Sequence, residues 1–373
     1  MKFILQSKND ILHVLREIKK FSKTYPAVVI EALKDNKVKF YTQGIGVDKV
    51  VSFELALNVF LKGKCNIYID ELINKINKAK KNESILFNLK DDKLELTFNN
   101  FTQIISTRKF EDFESIEINK LTDKKLLFST YSVNLSASFN RFKSAIDLED
   151  SRQTLHGIKF DTISGIFLRF TATNGKVLLI SKFGECKADV CGNFSGIISL
   201  EAIEHYLKIF KSCEEIKFYL ATYLDQYYYI FESKSATLMF RQISGEFPDT
   251  DSVLEDIKEN AQSEIILNVI EFKTALDNLF GKNLRDILKI SIDKNIMQLS
   301  LENSSDMTLA TQNIRIINHN NLKVEKMAFS VEMINIVKQA LTGYWLDFYV
   351  KDRVSGIYLT NQSLEMALMP LRR

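Results

Sequence analysis

The sequence lacks any apolar run approaching the roughly 18 residues of a membrane-spanning helix, and Met1-Lys2-Phe3-Ile4-Leu5 gives way at once to polar residues instead of a signal-peptide core. A soluble, cytoplasmic protein is the expectation. Cysteine is scarce, and Cys65, Cys186, Cys191 and Cys213 show no CxxC spacing, which argues against a metal site or a disulfide framework and predicts reduced thiols. His13, His156, His205 and His319 are scattered, with Glu17 and Glu201 as single helical-spacing carboxylates and no third ligand, so no metal is expected. Gly44-Ile45-Gly46 lacks the Lys-Ser/Thr of a phosphate loop, and no GxSxG or kinase-like set occurs. Glu149 and Asp150, ahead of Ser151-Arg152, read as solvated loop charges and not as an acid/base pair. No enzyme and no cofactor are expected. Proline occurs only at Pro26, Pro248 and Pro370, so long proline-rich linkers are absent and adjacent domains should abut. A net charge of +3 permits nucleic-acid binding without requiring it.

What the chain does have is a repeat. Residues 167–183, FLRFTATNGKVLLISKF, read as two strands joined at Asn174-Gly175, a pair suited to the two positive φ angles of a type I′ hairpin turn. Comparable strand-turn-strand segments lie at 38–55, with a turn at 44–48, and at 296–314, with a turn at 303–306. The three turns are about 130 residues apart, the kind of fixed period that marks repeated units. Helices are expected at 7–23 and 70–81, then 133–146 and 200–213, then 269–280 and 331–341; the second of each pair begins near Asp70, Leu200 and Val331. Helix, strands, helix, strands thus recurs three times. The pattern predicts an α+β protein of three similar domains, 1–124, 125–249 and 250–373, with sheets on one side and paired helices on the other.

Several of these helices divide charge from apolar surface. In the first, Ile11, Val14, Leu15 and Ile18 form an apolar stripe, while Arg16, Lys19, Lys20 and Lys23 repeat at i, i+3, i+4 and i+7 roughly opposite. Leu72, Ile76 and Ala79 face away from Lys75 and Lys78 in the second. Leu135, Phe139, Phe142 and Ile146 oppose Arg141 in the third, and Ile203, Leu207 and Phe210 oppose Lys208 and Lys211 in the fourth. Lys338 lies close to the apolar side, so the last helix does not repeat the division. Solvated faces, with late lysines favouring the helix C-terminal dipole, would explain the same pattern.

Four short segments carry a family resemblance: Met1-Lys2-Phe3, the hairpin Thr171-Ala172-Thr173-Asn174-Gly175-Lys176-Val177-Leu178, Gly245-Glu246-Phe247-Pro248-Asp249, and Met369-Pro370-Leu371-Arg372. In this order, with the threefold plan, the whole chain resembles the bacterial DNA polymerase III β subunits, the sliding clamps. The resemblance implies a head-to-tail homodimeric ring of six similar domains, helices lining the hole and sheets outside, without catalytic activity, encircling duplex DNA independently of sequence. Arg16, Lys19, Lys20, Lys23, Lys75, Lys78, Arg141, Lys208 and Lys211 would then face phosphates, through weak and salt-sensitive contacts. It also implies a site where polymerase and clamp-loader subunits dock short linear motifs of the Gln-Leu-Ser/Asp-Leu-Phe kind. The matching positions are Leu155, Thr173, Gly175, Lys176, Leu178, Pro248, Val253, Ser330, Met333, Met369, Pro370, Leu371 and Arg372. Against the family's usual Asp-Gly-His-Arg-Leu this chain has Asn174-Gly175-Lys176-Val177-Leu178; Ser252 stands where Arg is common, and the chain ends Arg372-Arg373. Ile104, Ile105, Leu279 and Phe280 are the candidates for the dimer interface. Two other classes fit part of the pattern: a peptide-binding scaffold that does not encircle DNA, marked by buried or neutralised cationic faces, and an enzyme with a scattered site, marked by a deep cleft holding perturbed carboxylates or histidines.

Overall fold

The computed structural model describes the chain apart from residues 22–26, 44–48, 110–120, 164–166, 182–185, 188, 191–193, 212, 282, 284, 304, 306, 321–325 and 372–373. The chain forms two compact units, the first from Met1–Val133 and Glu201–Gln242, the second from Asn134–Leu200 and Ile243–Arg373. The middle third of the sequence is thus shared between them.

In the first unit a five-stranded antiparallel sheet runs in the order Asn58–Leu61, Lys2–Leu5, Ile85–Lys90, Lys93–Phe98, Phe101–Ser106. Phe3 stacks on Phe87 with ring centroids 4.5 Å apart. Gly63 is required for a close approach: its φ is +152°, and a Cβ there would lie 2.9 Å from Met1 Cβ and from the Met1 nitrogen. A larger sheet runs Thr122–Tyr131, Glu215–Tyr223, Gln226–Glu232, Ala236–Arg241, Lys49–Ala56, Lys37–Gln43, Ala27–Ala32, Gly63–Tyr68. Ala236–Arg241 pairs with Lys49–Ala56 from Ala236 opposite Phe53 to Phe240 opposite Lys49, and this pairing carries residues 215–241 into the unit of the first third.

The second unit has an antiparallel sheet in the order Ser195–Ser199, Gly157–Ile163, Phe167–Thr173, Val177–Ser181, Leu364–Leu368, Ile357–Thr360, Trp345–Val350, Ser263–Asn268, Asn318–Asn320. Phe139, Phe160 and Phe170 form an aromatic centre against it, with Phe160 and Phe170 edge to face at 4.7 Å. A second, four-stranded sheet runs Thr308–Arg315, Ile296–Glu302, Ile287–Asp293, Lys326–Ser330.

Among the described residues the helices are α1 (Lys8–Phe21), α2 (Ile69–Asn77), α3 (Ser132–Phe142), α4 (Leu200–Ile209), α5 (Asp251–Glu259), α6 (Val269–Leu279) and α7 (Val331–Ala340). Helices α2, α4 and α7 begin at equal intervals of 131 residues. The expected apolar stripes are buried on α1, α2 and α3, except that Ile146, beyond the end of α3, is half-buried; on α4 Tyr206 is buried and Leu207 only half-buried, because the inward set is Ala202, Ile203, Tyr206 and Phe210. Asn268 caps α6, its Oδ1 accepting from Ile270 N at 2.9 Å and Glu271 N at 3.1 Å, and Ser330 Oγ caps α7 at Glu332 N, 3.2 Å. One device recurs in both units. Lys8 Nζ on α1 donates to the carbonyls of Asn77 (3.1 Å) and Ala79 (2.5 Å) at the end of α2, and Lys273 Nζ on α6 donates to Leu341 O (3.1 Å) at the end of α7. In each pair a lysine of the first helix satisfies terminal carbonyls of its neighbour.

Helix ends fall short of the sequence expectation. α2 stops at Asn77, α4 stops at Ile209, and α3 gives way to a 3-10 turn at Lys143–Ala145. Two elements lie where the sequence predicts none. The charged boundary region 109–125 contains the start of the ten-residue strand Thr122–Tyr131, whose first four residues are exposed before buried positions begin. α5 leaves no helical periodicity in the sequence because only Leu254 and Ile257 of its nine residues are buried, too few for a periodic signal. The hairpin turn is also of another type. Thr173 pairs with Leu178, Gly175 has φ +77°, and Asn174 stays at negative φ. Type I′ pairs of positive φ occur instead in the two-residue turns at Asp91-Asp92 (44° and 57°) and Leu224-Asp225 (47° and 57°). The expected turn at 44–48 and Cys191 lie outside the described residues; Cys65 is a buried free thiol and Cys213 an exposed one.

Leu224 is 77% exposed and holds a left-handed conformation that a leucine adopts at a cost. Leu224→Asn should therefore stabilise the protein by about 0.5–1 kcal/mol. A chemical-denaturation midpoint that rises at constant slope is the expected result; a fall would show that the turn is not strained.

Candidate functional site

The hairpin 173–178 is built by its own side chains. Thr173 Oγ1 donates to Val177 O (2.8 Å) and accepts from Gly175 N (3.0 Å). Asn174 Oδ1 accepts from Lys176 N (3.0 Å) and Val177 N (2.7 Å), which satisfies the turn's amides with Asn174 at negative φ and so replaces the expected type I′ geometry. The strand that leaves the turn pairs with Leu364–Leu368, placing Leu178 opposite Ala367, and Met369 N donates to Lys176 O at 2.9 Å. Helix α5 lies over this pair of strands. Leu254 and Ile257 pack with Leu178, Ile180, Tyr358 and Ala367, while Arg169 Nη1 donates to Asp251 Oδ2 at 3.0 Å within a two-pronged ion pair. Arg169 holds the Asp251 carboxyl below its ordinary value.

Together these elements enclose a slot of about 140 Å³, lined by Arg152, Leu155, Thr173, Gly175, Lys176, Val177, Leu178, Pro248, Asp249, Thr250, Val253, Ala367 and Met369. Leu155 and Leu178 are buried; Val253 and Met369, 38% and 37% exposed, form the open edge. These two also border a shallower space of about 750 Å³ with Ser252, Asp256, Ile257, Val354, Ser355 and Gly356. The arrangement suits a segment with apolar anchors and a few hydrogen-bonding groups. Of the residues expected at a peptide site, the structure brings together Leu155, Thr173, Gly175, Lys176, Leu178, Pro248, Val253 and Met369. It does not bring Ser330, Met333, Pro370 or Leu371 into the slot wall. Ser330 caps α7, Met333 is 4% exposed in the core, Pro370 is buried, and Leu371 N donates to Ala328 O at 2.7 Å. Arg372 lies outside the described residues.

Arg152, Val177, Asp249, Thr250 and Ala367 line the slot beyond the set that the sequence predicts. Arg152 is solvent-exposed, as the sequence predicts for this loop, and is in addition paired with Asp150, whose carboxyl it holds well below the usual range. Its spacing from Leu155, across the 3-10 turn Gln153–Leu155, is the one available signal.

The cationic helix faces belong mostly to the first unit. Arg16, Lys19, Lys20, Lys78, Lys208 and Lys211 are exposed and Lys75 is half-buried. Lys19 pairs with Asp70, Lys20 with Glu17 at 3.0 Å, and Lys208 with Glu204 at 4.0 Å. Among the described residues Arg16, Lys75, Lys78 and Lys211 make no ion pair. Arg141, in the second unit, is half-buried, and burial lowers its guanidinium from the ordinary value. Lys23 lies outside the described residues. Two of the interface candidates are corrected. Ile104 is 53% exposed on the edge strand Phe101–Ser106, but Ile105, pointing to the other face by strand alternation, is fully buried. Likewise Leu279 is buried on α6, whereas Phe280, just past the helix end, is half-buried beneath Lys338 Nζ at 5.6 Å. Among the described residues no group of three metal-ligating side chains converges, and no helix is long and apolar enough to cross a membrane.

No protein-family model matches the chain. Its fold is that of DNA polymerase sliding clamps: the clamp of Bacillus subtilis superposes with a TM-score of 0.84 at 15% identity, covering all of this chain and 99% of the other. The DNA polymerase III β subunit of Bartonella birtlesii, in a complex with griselimycin, superposes at 0.81 and 18% identity over the full length of both. In sequence, the chain is similar to the β sliding clamp of Buchnera aphidicola subsp. Rhopalosiphum padi, 23% identical over 319 residues, which are 83% of this chain and 82% of that protein.

Asn174→Ala leaves two turn amides without their side-chain acceptor and should cost about 1 kcal/mol. Amide hydrogen exchange at Lys176 and Val177 should quicken; unchanged exchange there would mean that the backbone alone holds the turn.

Proposed function

We propose that this chain is a sliding clamp, a non-enzymatic processivity factor that encircles duplex DNA and tethers polymerase and clamp-loader subunits through the slot beside the hairpin. The observation that carries the reading is the coincidence, in one chain with a clamp fold, of that slot with exposed cations on α1 and α4 and just past the ends of α2 and α4. The protein acts as a homodimeric ring, each copy contributing three clamp-type domains with boundaries near 124 and 249. The equal spacing of α2, α4 and α7 and the shared lysine device support the threefold division. Ile104 on an edge strand and Phe280 remain the residues suited to the contact between copies. Arg16, Lys78 and Lys211 offer open positive charge, while Lys19, Lys20 and Lys208 are held by carboxylates and contribute less net attraction. Such a mixture favours weak contacts that a phosphate backbone can exchange without registering sequence.

The slot half of the reading is tested with the peptide Gln-Leu-Ser-Leu-Phe. Burial of its leucine and phenylalanine contributes roughly 3–6 kcal/mol before ordering costs, and with polar contacts gives an expected dissociation constant in the micromolar range. Val253→Asp places a charge at the exposed edge of the slot, where folding should be spared, and should weaken binding by about tenfold or more. Equal affinity in the variant would move the peptide to another surface.

The DNA half is tested by retention on closed circles. Light scattering should give about twice the chain mass of 43.0 kDa, and the loaded protein should leave when the circle is cut. Combined Arg16→Glu, Lys78→Glu and Lys211→Glu should shorten retention on circles of any sequence and flatten its salt dependence, by about 0.9 in log–log slope for each phosphate that is no longer neutralised. Retention on linear DNA with free ends would identify an ordinary binder.

A further inference from the structure

Asp150 makes a set of hydrogen bonds that the apolar walls of the slot do not require. Its Oδ1 accepts from the Arg152 backbone N (2.8 Å) and from Nε (2.9 Å), and its Oδ2 accepts from Nη2 (2.8 Å). The carboxylate is 17% exposed and the guanidinium 54%. The same loop is tied twice more, by His156 Nε2 against Asp150 O at 2.8 Å and by Leu155 N donating to Arg152 O at 3.0 Å. As a result the guanidinium is aimed at the hairpin, with Nη2 3.5 Å from the position a Cβ on Gly175 would take. The pair uses Nε and Nη2 and leaves Nη1 outside it. Among the described residues, the other charged groups lining the slot are Lys176, exposed at the turn, and Asp249, whose Oδ1 accepts from Ser252 N at 3.3 Å. Counting Asp150 behind Arg152, the described residues at the opening supply two cations and two carboxylates.

We infer that Asp150 is a positioning residue that both fixes Arg152 at the slot and cancels its charge, so that the slot takes segments whose anchoring end is neutral and gains nothing from an acidic one. The inference rests on the peptide-slot reading above. A guanidinium held by a carboxylate still donates N–H groups to a carbonyl, but the attraction it would exert on a second carboxylate is offset by the first. Without Asp150 the same guanidinium becomes an uncompensated cation beside the ligand's terminus.

The probe is Gln-Leu-Ser-Leu-Phe in two forms, with a free C-terminal carboxylate and with a carboxamide, titrated into the full chain. For the wild type the two affinities should agree to within about threefold at low salt, because Asp150 offsets the charge of Arg152 at the anchoring end. Asp150→Asn keeps an acceptor for Nε and removes the charge; it should shift the acid-to-amide affinity ratio about threefold to tenfold toward the acid, and about 0.5 M salt should abolish the shift. Adding Arg152→Gln to Asp150→Asn should return the ratio to the wild-type value, and Asp150→Glu should never leave it. A ratio unchanged by Asp150→Asn, or equal weakening of both forms, would reduce Asp150 to a structural tie and overturn the inference. If the wild type bound neither form, the slot reading itself would fall, a result distinct from loss of selectivity alone.

Discussion

The pairing of Val177–Ser181 with Leu364–Leu368 is the contact on which the candidate site depends, because it joins segments nearly two hundred residues apart in the chain. The hairpin, Met369 and α5 are anchored to it. Leu178 and Ala367 face α5 from opposite sides of that ladder, Met369 continues it through its amide to Lys176 O, and Leu254 and Ile257 seat α5 on the same surface. The strand is covered on both faces, which is why VLLIS is apolar without alternation: Val177, Leu179 and Ile180 are completely buried and Leu178 nearly so. A polar residue at any of these positions would lose its hydration without a partner, whichever face it pointed to.

Charge is arranged differently at the two candidate surfaces. Among the described residues around the slot, Arg152 is held by a tightly oriented carboxylate, while Lys176 and Asp249 line the same opening without an ion pair between them. On the helices the matching is incomplete: Lys19 and Lys20 have acidic partners, yet Arg16 in the same cationic set makes no ion pair among the described residues. Such surface pairs contribute little stability in water, on the order of 0–1 kcal/mol each, so their effect is chiefly on the field that a polyanion would meet. A moderated positive face would suit the clamp role proposed above, in which DNA is held and still slides.

Much of this is legible in the sequence, and the failures share a cause. The paired helices are visible because each buries a stripe at helical spacing, and the hairpin because Asn-Gly punctuates two apolar runs. Leu155, Thr173, Leu178 and Met369 are found through resemblance, and the sheet brings them together. α5 stays hidden because two buried residues do not make a period, and Arg152 because its role comes from a carboxylate two positions earlier, which a charge count treats as solvation. Nor can composition show that Ala236–Arg241 pairs with Lys49–Ala56, since strand pairing across so long a separation leaves no local signal. Ile105 and Leu279 fail for the simplest reason: one residue along a strand or helix is enough to exchange solvent for core.

The slot combines a fixed floor with an adaptable edge, and the difference follows from how each is attached. Leu155 and Leu178 are held in the core by a turn and a ladder that share many hydrogen bonds. Val253 stands on a nine-residue helix anchored by two apolar side chains and the Arg169–Asp251 pair, and Met369 stands just beyond the last paired residue of its strand. Gly356 leaves room for this edge to move: a Cβ there would come within 2.8 Å of Ile257 Cδ1 and 3.1 Å of Met369 Sδ, so any side chain would press both against the slot. Methionine is unbranched and adjusts its rotamers at small cost, so if the slot takes peptides as proposed, Met369 would adapt to ligands of different shape while the floor keeps one geometry.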